Sequence, residues 1–227
     1  MSHFQRLFFL ALIAGVIGGV FASALNVAVN VPIILQAEVF EHASEHVAAG
    51  GQASHEHGES AALGRNFLTL TAMILAFVGY ALLVTVVAEV SGGLQSWRSG
   101  LLWGAGGFLA VGLVPALGLP PELPGMPAAD LVQRQLWWLS CATCTAVALL
   151  LIARFQRAPA YLVSALLLAA PFLYGAPVGP DTAPLVPEDL YRLFVLGTLT
   201  AGFLSWLAMG AALGFLRSQK RLQSVLG

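Results

Sequence analysis

Residues 7–29 read LFFLALIAGVIGGVFASALNVAV, an unbroken apolar stretch with no charged side chain. A helix that crosses a bilayer needs about 20 such residues. Further runs of this kind lie at 67–89, 100–118, 135–153, 159–175 and 192–216. These runs are continuously apolar and do not alternate, which excludes the strands of a membrane barrel. The sequence therefore predicts an all-α, polytopic helical membrane protein with about six transmembrane helices, arranged as three hairpins.

The composition of the chain agrees with this class. Of 227 residues, 58% are hydrophobic and 9% are charged, which is too apolar for a soluble domain. A net charge of −1 without a basic block excludes a nucleic-acid partner, because phosphate binding needs a basic surface. The sequence also contains no nucleotide-binding, hydrolase or metalloprotease motif, so an enzyme is not expected. We expect one transmembrane domain over residues 1–227, with an outer His- and Glu-rich loop at 38–62.

The basic residues predict the orientation of the chain. A cytoplasmic N-terminus places seven of them inside and three outside, in agreement with the positive-inside rule. The inner set is Arg6, Arg98, Arg154, Arg157, Arg217, Lys220 and Arg221, and the outer set is Arg65, Arg134 and Arg192. All acids except Glu89 then lie outside. We expect an integral protein of the bacterial inner membrane with both termini cytoplasmic and an acidic outer face.

The first run has an alternative interpretation. Arg6, the apolar stretch and Ala22-Ser23-Ala24 together resemble a secretory signal with its cleavage site. The helix-packing spacing of Gly15 and Gly19 favours a retained membrane anchor instead. Cleavage would leave the rest of the topology unchanged.

An internal repeat relates residues 98–153 to residues 157–216. Each stretch has an arginine, an apolar helix, a proline near its outer end, a Gly/Pro-rich loop and a return helix. Each return helix carries an acid four residues before an arginine, and these are Asp130 with Arg134 and Glu188 with Arg192. This spacing predicts two ion pairs, each on one helix face.

Three further features of the apolar runs have structural or functional interpretations. Trp137 and Trp138 are typical of anchors at the membrane interface. Cys141 and Cys144 lie on one helix face, where small residues that pack a helix interface explain them better than a metal site. Asn26 and Asn30, one turn apart, either hydrate a passing ion or bond neighbouring helices.

The residues best suited to bind a transition metal are concentrated at 38–59. Four of the five histidines and five glutamates lie there. Residues 33–47 lack glycine and proline and follow Pro32, which suits the first turn of a helix. On such a helix Glu38, His42 and His46 form an i, i+4, i+8 stripe.

Two imidazoles one turn apart can bind a single divalent ion, with nearby carboxylates completing the shell. His55 and His57 form a second pair in a glycine-rich segment. The candidate ligands are Glu38, Glu41, His42, Glu45, His46, His55 and His57. Imidazole with carboxylate suits Co²⁺, Ni²⁺ or Zn²⁺ better than Ca²⁺ or Mg²⁺. The alternative is a polar loop whose histidines are merely solvated.

Four segments resemble the CbtA family of predicted cobalt transporter subunits. They are LQAEVFEH at 35–42, PALGLPPELPGM at 115–126, RQLWW at 134–138 and GAP at 175–177. The resemblance covers essentially the whole chain and implies a membrane subunit for cobalt uptake linked to cobalamin supply. It also implies a small, single-span, histidine-bearing partner similar to CbtB. Members of this family are often described with five spans, whereas the apolar runs give six.

The sequence thus predicts a cobalt or divalent transition-metal uptake subunit whose outer His/Glu loop captures the ion. Co²⁺, or Ni²⁺ or Zn²⁺, is the transported ion, and no permanently bound cofactor is expected. The partners are the CbtB-like subunit and the lipid bilayer. Two alternatives are a non-transporting accessory or structural subunit of a larger complex, and a nickel or zinc transporter.

Overall fold

The computed structural model of the chain describes residues 2–49, 59–181 and 183–219, and for residues 42–49, 59–63 and 65 it describes the backbone alone. The helices are α1 (His3–Leu25), α2 (Val31–Ala49), α3 (Glu59–Ser91), α4 (Trp97–Phe108), α5 (Val114–Ala116), α6 (Leu131–Phe155), α7 (Ala158–Tyr174) and α8 (Glu188–Ser218). Two five-residue π-helical turns, Asn26–Asn30 and Leu109–Leu113, join α1 to α2 and α4 to α5. Within the described ranges there is no strand.

The predicted all-α membrane fold is confirmed. Among the described residues, five helical stretches are long and apolar enough to cross a membrane: His3–Glu41, Asn66–Ser91, Trp97–Ala116, Leu131–Phe155 and Glu188–Ser218. The run predicted at 159–175 forms α7, which is apolar but only 17 residues long. The described residues of this membrane protein therefore form five long apolar helical stretches and a sixth, shorter one.

The first helical stretch does not end where the first apolar run ends. Pro32 lies in the first turn of α2, as the sequence predicts, but α2 continues directly from α1 through the π-helical turn and forms one helical stretch with it. Proline lacks the N–H that an α-helix needs and clashes with the carbonyl four residues earlier. A π-helical turn inserts an extra residue and relieves this conflict. Pro115 follows Leu109–Leu113 at the same distance, so the two prolines share one local solution.

The described residues form two compact units. Unit 1 comprises those within Met1–Val27, Ala53–Gly107 and Ala201–Gly227, and unit 2 those within Ala28–Gln52 and Phe108–Thr200.

Glycines set the close helix packing in unit 1. A Cβ atom at Gly15 or Gly19 would collide with the backbone of α3 at Val78 or Ile74, which confirms the predicted packing role of this pair. In the same way Gly100 of α4 and Gly210 of α8 each meet the other's carbonyl oxygen. Small residues let backbones approach closely enough for dispersion forces to hold helices together in lipid.

Unit 2 is organised around the α2 helix and the proline-rich segment before α6. Ala37 of α2 is fully buried against Leu123, Val186 and Phe194. Gly125 and Gly175 have φ angles of +78° and +95°, a backbone region that favours glycine. These two glycines lie in PALGLPPELPGM and GAP, so two of the segments that carried the family resemblance contain a glycine that the backbone requires.

Candidate metal-binding site

The predicted ligand stripe lies on a helix, as the sequence indicated. α2 spans Val31–Ala49 and places positions 38, 42 and 46 along one face. The side chains of Glu38 and Glu41 are partly buried. The side chains of His42, Glu45 and His46 lie outside the described structure, and so do residues His55 and His57 altogether. The structure thus confirms the helix on which positions 38, 42 and 46 lie, and the metal site itself stays a prediction.

α2 is held in place by apolar contacts on the face that carries Ala37. Ile33 and Ile34 pack beside Ala37 against the cluster formed by Leu123, Val186 and Phe194. Glu41 lies at the edge of this contact, because a Cβ atom built on Gly125 would lie 3.8 Å from the Cβ atom of Glu41. The proline-rich segment therefore positions the acidic part of α2.

The ion pair predicted between Asp130 and Arg134 is wrong. Arg134 Nη2 lies 2.8 Å from Glu122 Oε2, and the two side chains are 30% and 23% exposed. The side chain of Asp130 instead accepts a hydrogen bond of 3.0 Å from the backbone N–H of Gln133 and caps the N-terminus of α6. An aspartate at this position stabilises the free N–H groups of the first turn, so it is drawn away from Arg134.

The second predicted pair is present. Arg192 Nη2 lies 2.5 Å from Glu188 Oε1 within the first turns of α8. Both side chains are mostly exposed, so this pair contributes little to stability. The two return helices of the internal repeat therefore use their arginines differently. Arg134 ties α6 to the proline-rich segment, whereas Arg192 pairs within its own helix.

Among the residues with described side chains, no group of three or more His, Cys, Asp or Glu is close enough to hold a metal ion. Glu38 and Glu41 lie one turn apart on α2 and supply two carboxylates. Carboxylates without imidazole or thiolate bind Co²⁺ and Zn²⁺ less selectively. A complete site would need ligands from the histidine positions that follow on the same helix.

The two cysteines are distant in sequence from the candidate ligands at 38–59. Among the described residues they do not form part of a group of potential metal ligands. Cys141 is fully buried, and Cys144 is partly buried and lines a cleft of about 490 Å³ with Trp137, Ser140 and Tyr174. Most of the residues that line this cleft are apolar or aromatic. The packing interpretation of the cysteines therefore fits the described surroundings.

Trp137 and Trp138 each donate an indole N–H to a backbone carbonyl of another helical segment. Trp137 is 5% exposed, and its indole N–H donates a 3.0 Å hydrogen bond to the carbonyl of Pro171. The Trp138 indole donates one of 3.2 Å to the carbonyl of Val111. Val111 is four residues before Pro115, which has no N–H to offer it, so Trp138 replaces the missing helical donor. Pro115, which precedes α6, was the available sequence signal that a tryptophan of α6 donates to a carbonyl without its helical donor.

The buried polar contact in the first helical stretch involves Asn30. Asn30 is 6% exposed, and Thr198 Oγ1 of α8 donates a hydrogen bond of 3.4 Å to its Oδ1 atom. Gly197, next to Thr198, brings the backbone of α8 close to Val29 and Asn30. This contact supports the helix-bonding interpretation of Asn30. Thr198 was not identified from the sequence, where nothing distinguishes it from other threonines in apolar runs.

An ion-pair network in unit 1 was also missed by sequence reasoning. Glu89 of α3 forms an ion pair with Arg217 of α8 and lies 3.2 Å from His3 Nε2 of α1. The usable signal was that Glu89 is the sole acid on the side where most basic residues were placed. Without the helix arrangement, neither Arg217 among the seven inner cations nor His3 could be identified as its partner.

The chain matches the model of one protein family along most of its length. That family is described as "Probable cobalt transporter subunit (CbtA)", and the match covers residues 4–218. No curated protein and no solved structure matches the chain significantly.

Proposed function

Because the chain belongs to the CbtA family of probable cobalt transporter subunits, we propose that it gathers Co²⁺ at the outer membrane face and passes it inward. The family match over residues 4–218 carries this proposal. The long apolar helices support it, since they provide the membrane-embedded body that a transporter subunit needs. A catalytic role is not part of the proposal. The single-domain organisation over residues 1–227 and cytoplasmic termini are proposed with it.

The proposed capture element is α2 together with the glycine-rich segment that follows. Its proposed ligands are Glu38, Glu41, His42, Glu45, His46, His55 and His57. The helix supports this role because it holds Glu38, His42 and His46 at one-turn intervals on a segment fixed by Ala37. A ligand pair that is already held on a helix loses less conformational entropy on binding than a pair that must first be ordered.

Co²⁺ entry can be driven by the membrane potential. A divalent ion that enters a negative interior gains roughly 4–5 kcal/mol per 100 mV. No nucleotide-binding motif occurs in the sequence, so this energy source or a partner is required. The proposed partner is a small, single-span, histidine-bearing subunit similar to CbtB, and cobalamin synthesis is the proposed use of the metal.

Calorimetric titration of the purified chain with Co²⁺ at pH 7.5 tests the capture element. We expect binding that weakens more in the double variant H42A/H46A than in H55A/H57A, because the first pair lies on a formed helix. The second pair is the matched control, since it removes the same number of imidazoles. Equal affinity in the wild type and in a variant that lacks all four histidines would refute the capture role. Competition with Ni²⁺ and Zn²⁺ then decides between cobalt and the alternative metals.

A further inference from the structure

A cleft in unit 1 combines two arginines with an apolar floor. It has a volume of about 380 Å³ and is lined by residues of α1, of the turn after α3 and of the end of α8. The lining includes Arg6, Leu10, Leu94, Gln95, Arg217 and Ser218. None of the candidate metal ligands contributes to it, so the cleft is separate from the proposed capture element.

The charges around the cleft favour an anion. Arg6 and Arg217 bring two guanidinium groups, and Glu89, which Arg217 contacts, brings one carboxylate. His3 lies between the two sides of this network, with Nε2 at 3.2 Å from Glu89 and Nδ1 at 3.4 Å from Arg6 Nη2. Among these described groups the balance of fixed charge is positive. A monoanionic phosphate diester would neutralise it, and guanidinium groups bind phosphate oxygens with strong, charge-assisted hydrogen bonds.

The floor of the cleft distinguishes a lipid from a free ion. Leu10 and Leu94 are each 3% exposed and close the cleft beneath the polar rim. Inorganic phosphate would have to give up hydrating water against these side chains without gaining any apolar contact. A phospholipid presents its phosphate next to glycerol and acyl carbons, which match a cationic rim over leucines.

We propose that this cleft binds the phosphate headgroup of an anionic phospholipid. Arg6 and the amide of Gln95 donate hydrogen bonds to the phosphate oxygens, and Arg217 supplies long-range attraction while it holds Glu89. The lipid would link the beginning of α1 to the end of α8 across the cleft, at the end of unit 1 where the Glu89 network lies. The inference is independent of cobalt transport.

Thermal unfolding of the full chain in neutral detergent, titrated with phosphatidylglycerol, tests this site. Arg6→Gln removes the rim charge that does not hold Glu89. The expected loss is about fivefold in apparent affinity, the effect of one arginine near an anionic lipid surface. Arg6→Lys should retain most of the binding because it keeps the charge. Arg98→Gln is the matched control, since Arg98 stacks on Trp97 and does not line the cleft.

Two further titrations fix the chemistry of the ligand. Phosphatidylcholine, which has no net charge, should stabilise the wild type much less than phosphatidylglycerol. Sodium phosphate at the same concentration should have no comparable effect. Equal stabilisation by phosphatidylcholine, stabilisation by inorganic phosphate alone, or unchanged lipid affinity in Arg6→Gln would each overturn the proposal.

Discussion

The pairing of Arg134 with Glu122 can be measured by a double-mutant cycle. Glu122→Gln, Arg134→Gln and the double variant remove the two charges singly and together, and each replacement side chain stays polar. The parallel cycle with Asp130→Asn is the control, because asparagine caps a helix about as well as aspartate. The structure predicts coupling in the first cycle and almost none in the second.

The size of the coupling follows from the geometry. Two unit charges about 4 Å apart attract by about 4 kcal/mol at an effective dielectric constant of 20. The loss of water from both groups and the fixing of both side chains oppose this attraction. Exposed pairs yield a net of about 0.2–1 kcal/mol, and removing one partner of a buried pair costs about 3–5 kcal/mol. With side chains 30% and 23% exposed, we expect a coupling of about 1–2 kcal/mol.

Reversible unfolding of the purified variants in detergent gives the four free energies of unfolding. A coupling below about 0.3 kcal/mol for Glu122–Arg134, the usual error of additivity, would refute the pairing. A coupling as large for Asp130–Arg134 would show that the sequence-based pair forms instead. In either case the proline-rich segment would not be held to α6 as described.

Three further results are expected. Gly210→Ala should lower the melting temperature and the yield of folded protein, because its Cβ atom would meet the backbone of α4. Gly106→Ala is the control and should do neither, since the space around Gly106 is open. Equal tolerance of the two variants in a thermal unfolding assay would contradict the packing. Trp138→Phe should destabilise the chain by about 1 kcal/mol in detergent unfolding, because the Val111 carbonyl loses the indole N–H that takes the place of the N–H missing from Pro115. An unchanged free energy of unfolding would show that this hydrogen bond makes no net contribution to stability. Co²⁺ bound at pH 7.5 should be released as the pH falls toward 5.5, because imidazole binds metal only when neutral and its ordinary pKa is about 6.5. A Co²⁺ affinity that does not change with pH in calorimetry would exclude histidine ligands.

The helices of this protein could be predicted from its sequence because the signal is strong and local. Long apolar runs have one stable solution in lipid, and the predicted runs coincide with the observed helices to within a few residues at most ends. The helix around Glu38, His42 and His46 was equally predictable, since residues 33–47 lack glycine and proline. The continuity through Pro32 was not, because a π-helical turn depends on a one-residue insertion that hydrophobic periodicity does not show.

Side-chain partners were harder to predict because they depend on the arrangement of the helices. The spacing of Asp130 and Arg134 allowed an ion pair, but the cap at the start of α6 and the approach of Glu122 decided otherwise. The hydrogen bonds of Trp137 and Trp138 were not predicted either, since their indole N–H groups donate to carbonyls near two prolines. In each case a side chain bonds to a backbone group that needs a partner, and the spacing of residues along one helix does not predict this.

Uptake of radioactive Co²⁺ by intact cells tests the central claim most directly. Cells that express the chain with its single-span partner should accumulate Co²⁺ faster than cells with the partner alone. Collapse of the membrane potential should abolish the difference. The variant lacking His42, His46, His55 and His57 should lose most of the uptake at low Co²⁺ concentration, with unchanged amounts of protein in the membrane. Uptake that does not depend on the chain would contradict a transport role and favour an accessory subunit.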